Sequence, residues 1–132
     1  MPLPTEPIGS IPRPSELIEG MKAFASGNIA SDRMEFLFDA AVRDTIRRFE
    51  ETGSPVVSDG EQRKPSFATY PIHGSQNLGP GGVTILFEDG HTRQLPVLTR
   101  GPFRYATYAS SYLDAARKHA RTPLKQAVIS AS

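Results

Sequence analysis

Cysteine is absent from this 132-residue chain. Disulfides, thiolate metal sites and a thiol nucleophile are therefore excluded within it. That lack is compatible with a reducing compartment, and a cytoplasmic protein is the expectation. No stretch approaches the roughly 20 apolar residues that span a bilayer. Residues 1–6 show no basic segment leading into an apolar one, so no signal peptide is expected. An excess of one charge is also missing, with 15 basic and 14 acidic residues giving a formal charge of +1. Without runs of like charge, neither nucleic acid nor a membrane surface is an expected partner. The three histidines, His73, His91 and His119, are too widely spaced to suggest a metal site and read as surface or structural residues. No repeat or low-complexity segment occurs.

What is present fits a single partial domain over residues 1–132, with 38% apolar and 22% charged residues. Leu3 to Ile8 is extended but interrupted by Pro4 and Pro7, which suits only a ragged first strand or its lead-in. Ser15 is placed to cap a first helix, with Glu16 in its first turn. Leu17, Ile18, Met21, Phe24 and Ala25 form its apolar face, and Gly27 stops it. A second helix follows, capped by Ser31 or Asp32, with Glu35 able to complete a capping box from Asp32. Its stripe is Met34, Leu37, Phe38, Ala41, Val42, Ile46 and Phe49, and Gly53 and Pro55 end it.

Val56 to Ser58 then reads as a buried strand that stops at once in Asp59-Gly60-Glu61-Gln62-Arg63. Strand, helices and strand in this order imply a parallel pair with a right-handed crossover. Residues 62–80 lack periodicity, and irregular excursions of that length are commonly functional or disordered. Val83–Phe87 and His91–Leu95 flank Glu88-Asp89-Gly90 as a hairpin. Val97 to Thr99 is extended between prolines. Tyr108, Tyr112, Leu113, Ala116 and Ala120 mark a third helix, and Lys125 to Ser130 a third strand. Such a strand is normally covered on both faces. Its open edge predicts self-association, and the expectation is the front portion of a longer β/α protein.

Chemistry is sought at Asp59 and Glu61, because ligands gather beyond the carboxyl ends of parallel strands. One of these carboxylates could bind a cationic group or move a proton. Spacing alone favours solvation or capping instead, with Arg63 and Lys64 near enough to neutralise either acid. Gly79-Pro80-Gly81-Gly82 lacks the Lys-Ser/Thr and helix start of a phosphate loop and reads as a turn leading to the hairpin. Ser58 and Ser130 have no flanking elbow glycines, which argues against a serine hydrolase. Tyr70, Tyr105, Tyr108 and Tyr112 read as core and lid packing rather than a base-stacking platform.

Ile8-Gly9-Ser10-Ile11-Pro12-Arg13-Pro14 resembles the Ile-Gly-Ser-Phe-Pro motif that opens the catalytic barrel of cobalamin-independent methionine synthases. Ala41 through Gly53, followed by Asp59-Gly60-Glu61 and Arg63, resembles that family's helix into its second-strand Asp/His-Gly-Glu motif. The resemblance runs across most of the chain and is weakest over residues 76–95. It implies an α/β fold, the front portion of a (β/α)8 TIM-type barrel with about three parallel strands, helices and an inserted β-hairpin. It further implies a methyltransferase of methionine biosynthesis that moves a methyl group from methyltetrahydrofolate to homocysteine, with zinc holding the sulfur. Ile8, Gly9 and Ser10 would then hold the amino-acid part of the thiol substrate, Glu61 would bind its ammonium, and Arg93 would contact the folate.

The family's zinc ligands lie further along the barrel and include cysteines, so this chain is expected to carry no metal ligand and no catalytic residue, and to be inactive alone. Gln62-Arg63-Lys64-Pro65-Ser66-Phe67 also departs from the biosynthetic enzymes. Two other readings stand beside the first. One is a related zinc-barrel enzyme acting on another thiol. The other is a non-catalytic partial barrel that pairs with itself or another chain, since such barrels take about 250 residues.

Overall fold

The computed structural model describes residues 3–130; expectations drawn on residues 1, 2 and 132 lie outside them. Helix α1, Ser15–Ala25, starts one residue earlier than its capping serine predicts. Pro14 takes the cap position with extended geometry, and its carbonyl accepts from Leu17 N (3.0 Å) and Ile18 N (3.1 Å). Helix α2, Ser31–Glu51, is the long amphipathic helix the periodicity predicts. Its start carries no capping box. Asp32 Oδ1 accepts from the adjacent Arg33 N at 2.8 Å, while Glu35 pairs with Arg63 across the fold.

The two helices meet along Leu17, Met34, Leu37 and Ala41, a first apolar cluster. Gly20 sets how closely they meet: a Cβ there would lie 2.2 Å from Leu37 Cδ1. Gly20→Ala must push a buried leucine terminus aside, and a loss of about 1 kcal/mol is expected from overpacking. Urea unfolding of the variant checks it; unchanged stability would mean that Leu37 re-seats freely.

A second cluster joins Val42 and Ile46 of α2 to Val57 and Ala116, with Phe49, Ala120 and Leu124 packed around it. It pins strand β1, Val57–Ser58, beneath α2. A short 3-10 helix, Tyr70–Ile72, interrupts the irregular excursion. Strands β2 (Leu78–Gly79), β3 (Thr84–Leu86), β4 (Thr92–Gln94) and β5 (Val97–Leu98) follow, then helix α3 (Ala109–Arg117) and β6 (Leu124–Lys125). The β3–β4 hairpin is antiparallel, with Ile85 opposite Arg93, around the expected Asp89-Gly90 turn. Pairing of β2 with β5 uses part of the glycine-rich turn as strand. Gly82 there approaches a neighbouring chain segment, since a Cβ would lie 2.2 Å from Leu95 O.

Only part of the expected sheet forms among the described residues. β1 and β6 pair in parallel, with Val57 opposite Leu124 and Ser58 opposite Lys125. The strand predicted over Lys125–Ser130 is instead Leu124–Lys125, and residues 126–130 form no strand. The predicted first strand, Leu3–Ile8, is not a strand. Prolines 4 and 7 cannot donate to a ladder, and side chains anchor the segment instead: Ser54 Oγ donates to Thr5 O (3.0 Å) and Lys125 Nζ to Glu6 Oε2 (3.0 Å). The described residues therefore form a mixed α/β fold with three two-stranded sheets, and the three-stranded parallel sheet is corrected to one pair.

Candidate functional site

The end of β1 is a tight polar turn with an unusual backbone. Gly60 has φ +65° and Glu61 φ +57°. A left-handed conformation is ordinary for glycine and costly for glutamate, and such strain collects at functional sites. A hydrogen-bond scaffold holds it. Gly60 N donates to Ser58 Oγ (3.2 Å), and Glu61 N donates to Asp59 Oδ1 (2.9 Å). Asp59 Oδ2 accepts from Gln126 Nε2 at 2.9 Å, just past β6. Asp59 is buried and its oxygens are committed inward, so its place is structural.

The proline-rich segment wraps the same turn. Ile11 N donates to Gly60 O at 3.1 Å, and Gln62 Nε2 to Ile11 O at 3.3 Å. Arg13 donates from Nε to Gln62 O (3.0 Å) and from Nη2 to Glu61 O (3.2 Å) and Lys64 O. Burial pushes the Arg13 guanidinium below the ordinary arginine range; the charge of Arg93 adds to this and Glu61 opposes it.

Glu61 itself is only 8% exposed. No donor among the described residues forms a hydrogen bond to its carboxylate; the nearest cation is Lys64, with Nζ 3.9 Å from Oε2. On the other side Gly9 abuts it, since a Cβ on Gly9 would stand 2.6 Å from Oε1. The carboxylate lines a cavity of about 330 Å³ together with Ser10, Arg13, Lys64, Phe67 and Arg93. Phe87 and Arg93 come from the two sides of the hairpin, which forms one wall. Three cations therefore share the lining of this cavity with one carboxylate. Arg93 has no acidic partner among the described residues, whereas Arg63 turns away to Glu35.

The structure thus brings Ser10, Glu61 and Arg93 together on one cavity, with Gly9 against Glu61. Ile8 is not brought in by its side chain, which is 94% exposed. Sequence reasoning missed the wrapping role of Arg13 and the burial of Lys64. Proline on both sides of Arg13 was the available signal for a fixed extended segment; nothing local marked Lys64. The tyrosines divide: Tyr70 and Tyr112 pack edge to face in the core at 5.8 Å, while Tyr108 is exposed. His91 pairs with Asp89, and His119 Nε2 lies 2.9 Å from Asp39 Oδ1. A larger cavity of about 690 Å³ lies over Arg47, Glu50, Lys118 and Arg121 and takes in none of the predicted site residues.

A mixed α/β chain with a nearly buried carboxylate at a strand end, facing a cavity, has the arrangement in which small-molecule sites of α/β proteins are commonly found. The comparisons agree with the family resemblance. No protein-family model matches the chain. It is 35% identical over 68 residues to the methionine synthases of Sulfolobus acidocaldarius and Sulfurisphaera tokodaii, a stretch covering 52% of this chain and 20% of each relative. Methionine synthase of Saccharolobus islandicus is 32% identical over 81 residues, 59% of this chain and 24% of the relative. The matched stretch therefore spans a quarter or less of these relatives. In structure, the chain matches a B12-independent methionine synthase from Shewanella sp. W3-18-1, solved in complex with selenomethionine, with a TM-score of 0.65. That match covers 92% of this chain and 36% of the other, at 18% identity, and is a likeness of fold. The chain is similar in sequence and in fold to part of the cobalamin-independent methionine synthases.

Proposed function

We propose that this chain is the front portion of a (β/α)8-type methyltransferase resembling cobalamin-independent methionine synthase, and that it supplies the amino-acid pocket for a small thiol such as homocysteine. The observation that carries this is the Glu61 carboxylate: nine-tenths buried, facing a cavity, and without a hydrogen-bond donor among the described residues. A carboxylate that opens on a cavity and takes no hydrogen bond from the described residues is free to accept from a ligand donor. A primary ammonium fits, because it supplies both charge and N–H groups. Gly9 and Ser10, beside Glu61, would hold the rest of the amino acid by backbone groups, with Ile8 leading into them. Similarity to methionine synthases, one of them solved with selenomethionine, supports the same ligand class. Arg93 is suited to an anionic group of a folate methyl donor, since it lines the cavity without an acidic partner among the described residues.

Zinc is implied by the resemblance and does not fit the residues present. The chain has no cysteine, and the described residues include no cluster of three His, Asp or Glu that could hold a metal. No step is therefore assigned to zinc here. What these residues can do is bind and orient: Glu61 fixes the ammonium, which directs the rest of the ligand into the cavity. Among the described residues no helix is long and apolar enough to cross a membrane.

Glu61→Gln tests the reading. Loss of one charge-assisted pairing should weaken binding of L-homocysteine and L-methionine by about ten- to a hundredfold, measured by calorimetric titration, with the far-UV spectrum unchanged. Equal affinity in the variant would remove Glu61 from the site.

A further inference from the structure

Lys64 is the largest fully buried side chain among the described residues, at 1% exposure. Buried lysines are rare and need a reason. Its ammonium donates to Ala127 O and sits over three aromatic rings, 4.8 Å from Tyr70, 5.7 Å from Phe67 and 5.9 Å from Tyr112. The carboxylate of Glu61 is 3.9 Å away, farther than a hydrogen bond. Burial pushes the Lys64 ammonium below the ordinary lysine range, and Glu61 and Asp59 oppose that shift. Ring faces favour the charged form as well. The Lys64 ammonium thus donates to a carbonyl and lies against rings rather than on the Glu61 oxygens, while its charge is near Glu61.

We infer that Lys64 is a positioning residue for Glu61: its caged ammonium supplies a counter-charge that holds the carboxylate aimed at the cavity, without occupying the oxygens that receive a ligand. This rests on the reading that Glu61 binds an ammonium. The geometry separates the two tasks. A lysine at hydrogen-bond distance would compete with the ligand; one held back by Ala127 and Tyr70 stabilises the acid and leaves it available. Removing either charge alone leaves the other buried and uncompensated, a costly state.

Calorimetric titration of the 132-residue chain with L-methionine tests this, using wild type, Glu61→Gln, Lys64→Met, Lys64→Gln and the double variant Glu61→Gln/Lys64→Met. Lys64→Gln keeps an N–H donor without the charge and serves if the methionine variant does not fold by circular dichroism. Each Lys64 variant is expected to bind about tenfold more weakly. The double variant is expected to bind no more weakly than Glu61→Gln alone, because Lys64 acts through Glu61. A merely structural lysine would give losses that add. Additive losses, or Lys64 variants that bind as tightly as wild type or tighter, overturn the inference and leave the Glu61 reading standing. Wild-type binding that survives Glu61→Gln unchanged overturns both.

Discussion

Gly60→Ala is expected to destabilise the protein by about 2–4 kcal/mol, combining a left-handed backbone penalty with overpacking. The glycine has φ +65°, and a Cβ would meet Ile11 Cγ1 at 2.6 Å and Thr45 Cγ2 at 3.0 Å. Thr45 is buried on α2, and Ile11 is fixed by the hydrogen bond its amide donates to Gly60 O, so neither neighbour yields easily. Gly53 is the natural control. It has φ +76° but open space around its Cβ position, so alanine there should cost only about 1 kcal/mol. Urea unfolding of both variants separates conformational strain from crowding. Equal losses at the two sites would show that the Ile11 and Thr45 contacts do not matter.

Arg13→Met is the second large effect. It strips the donor from the carbonyls of Glu61, Gln62 and Lys64 at once. Unpaired buried acceptors cost about 1–3 kcal/mol each, and water will reach some of these half-buried groups. A loss of about 2–4 kcal/mol is therefore expected. Arg13→Lys should recover little of it, because a single ammonium cannot reproduce a planar fork spread over three carbonyls. The expected accompaniment is weaker amino-acid binding, since the loop that Arg13 clamps is the loop that carries Glu61. A stable Arg13→Met protein with full affinity would show that the remaining contacts hold the loop unaided.

These two residues also show how far the sequence could be read. Periodicity identified α2 because a stripe from Met34 to Phe49 can bury only one face of a helix, and Gly53 and Pro55 bounded it chemically. The Asp89-Gly90 turn and the abrupt end of β1 were legible for similar local reasons. The prolines were legible too, but their consequence was underestimated: Leu3–Ile8 joins no ladder and is tied down by Ser54 and Lys125 side chains. What remained hidden is tertiary. Gly20 reads as a weak helix residue until Leu37 is placed against it. Lys64 reads as a surface charge until Tyr70, Tyr112 and Ala127 close around it. Arg13 lies 48 residues from one carbonyl it binds, a pairing no local pattern records. For the candidate site, Glu61, Gly9, Ser10 and Arg93 were named from motif order, whereas the residues that orient Glu61 emerged only from packing.

The most direct measurement of the central claim is an L-homocysteine titration of the isotope-labelled chain under reducing conditions, followed by amide chemical-shift mapping. The account predicts that the largest shifts fall on Gly9, Ser10, Gly60 and Glu61, and that they collapse in Glu61→Gln. Shifts concentrated at Lys118, His119 and Arg121, or no shifts in the β1 turn at saturating ligand, would contradict it.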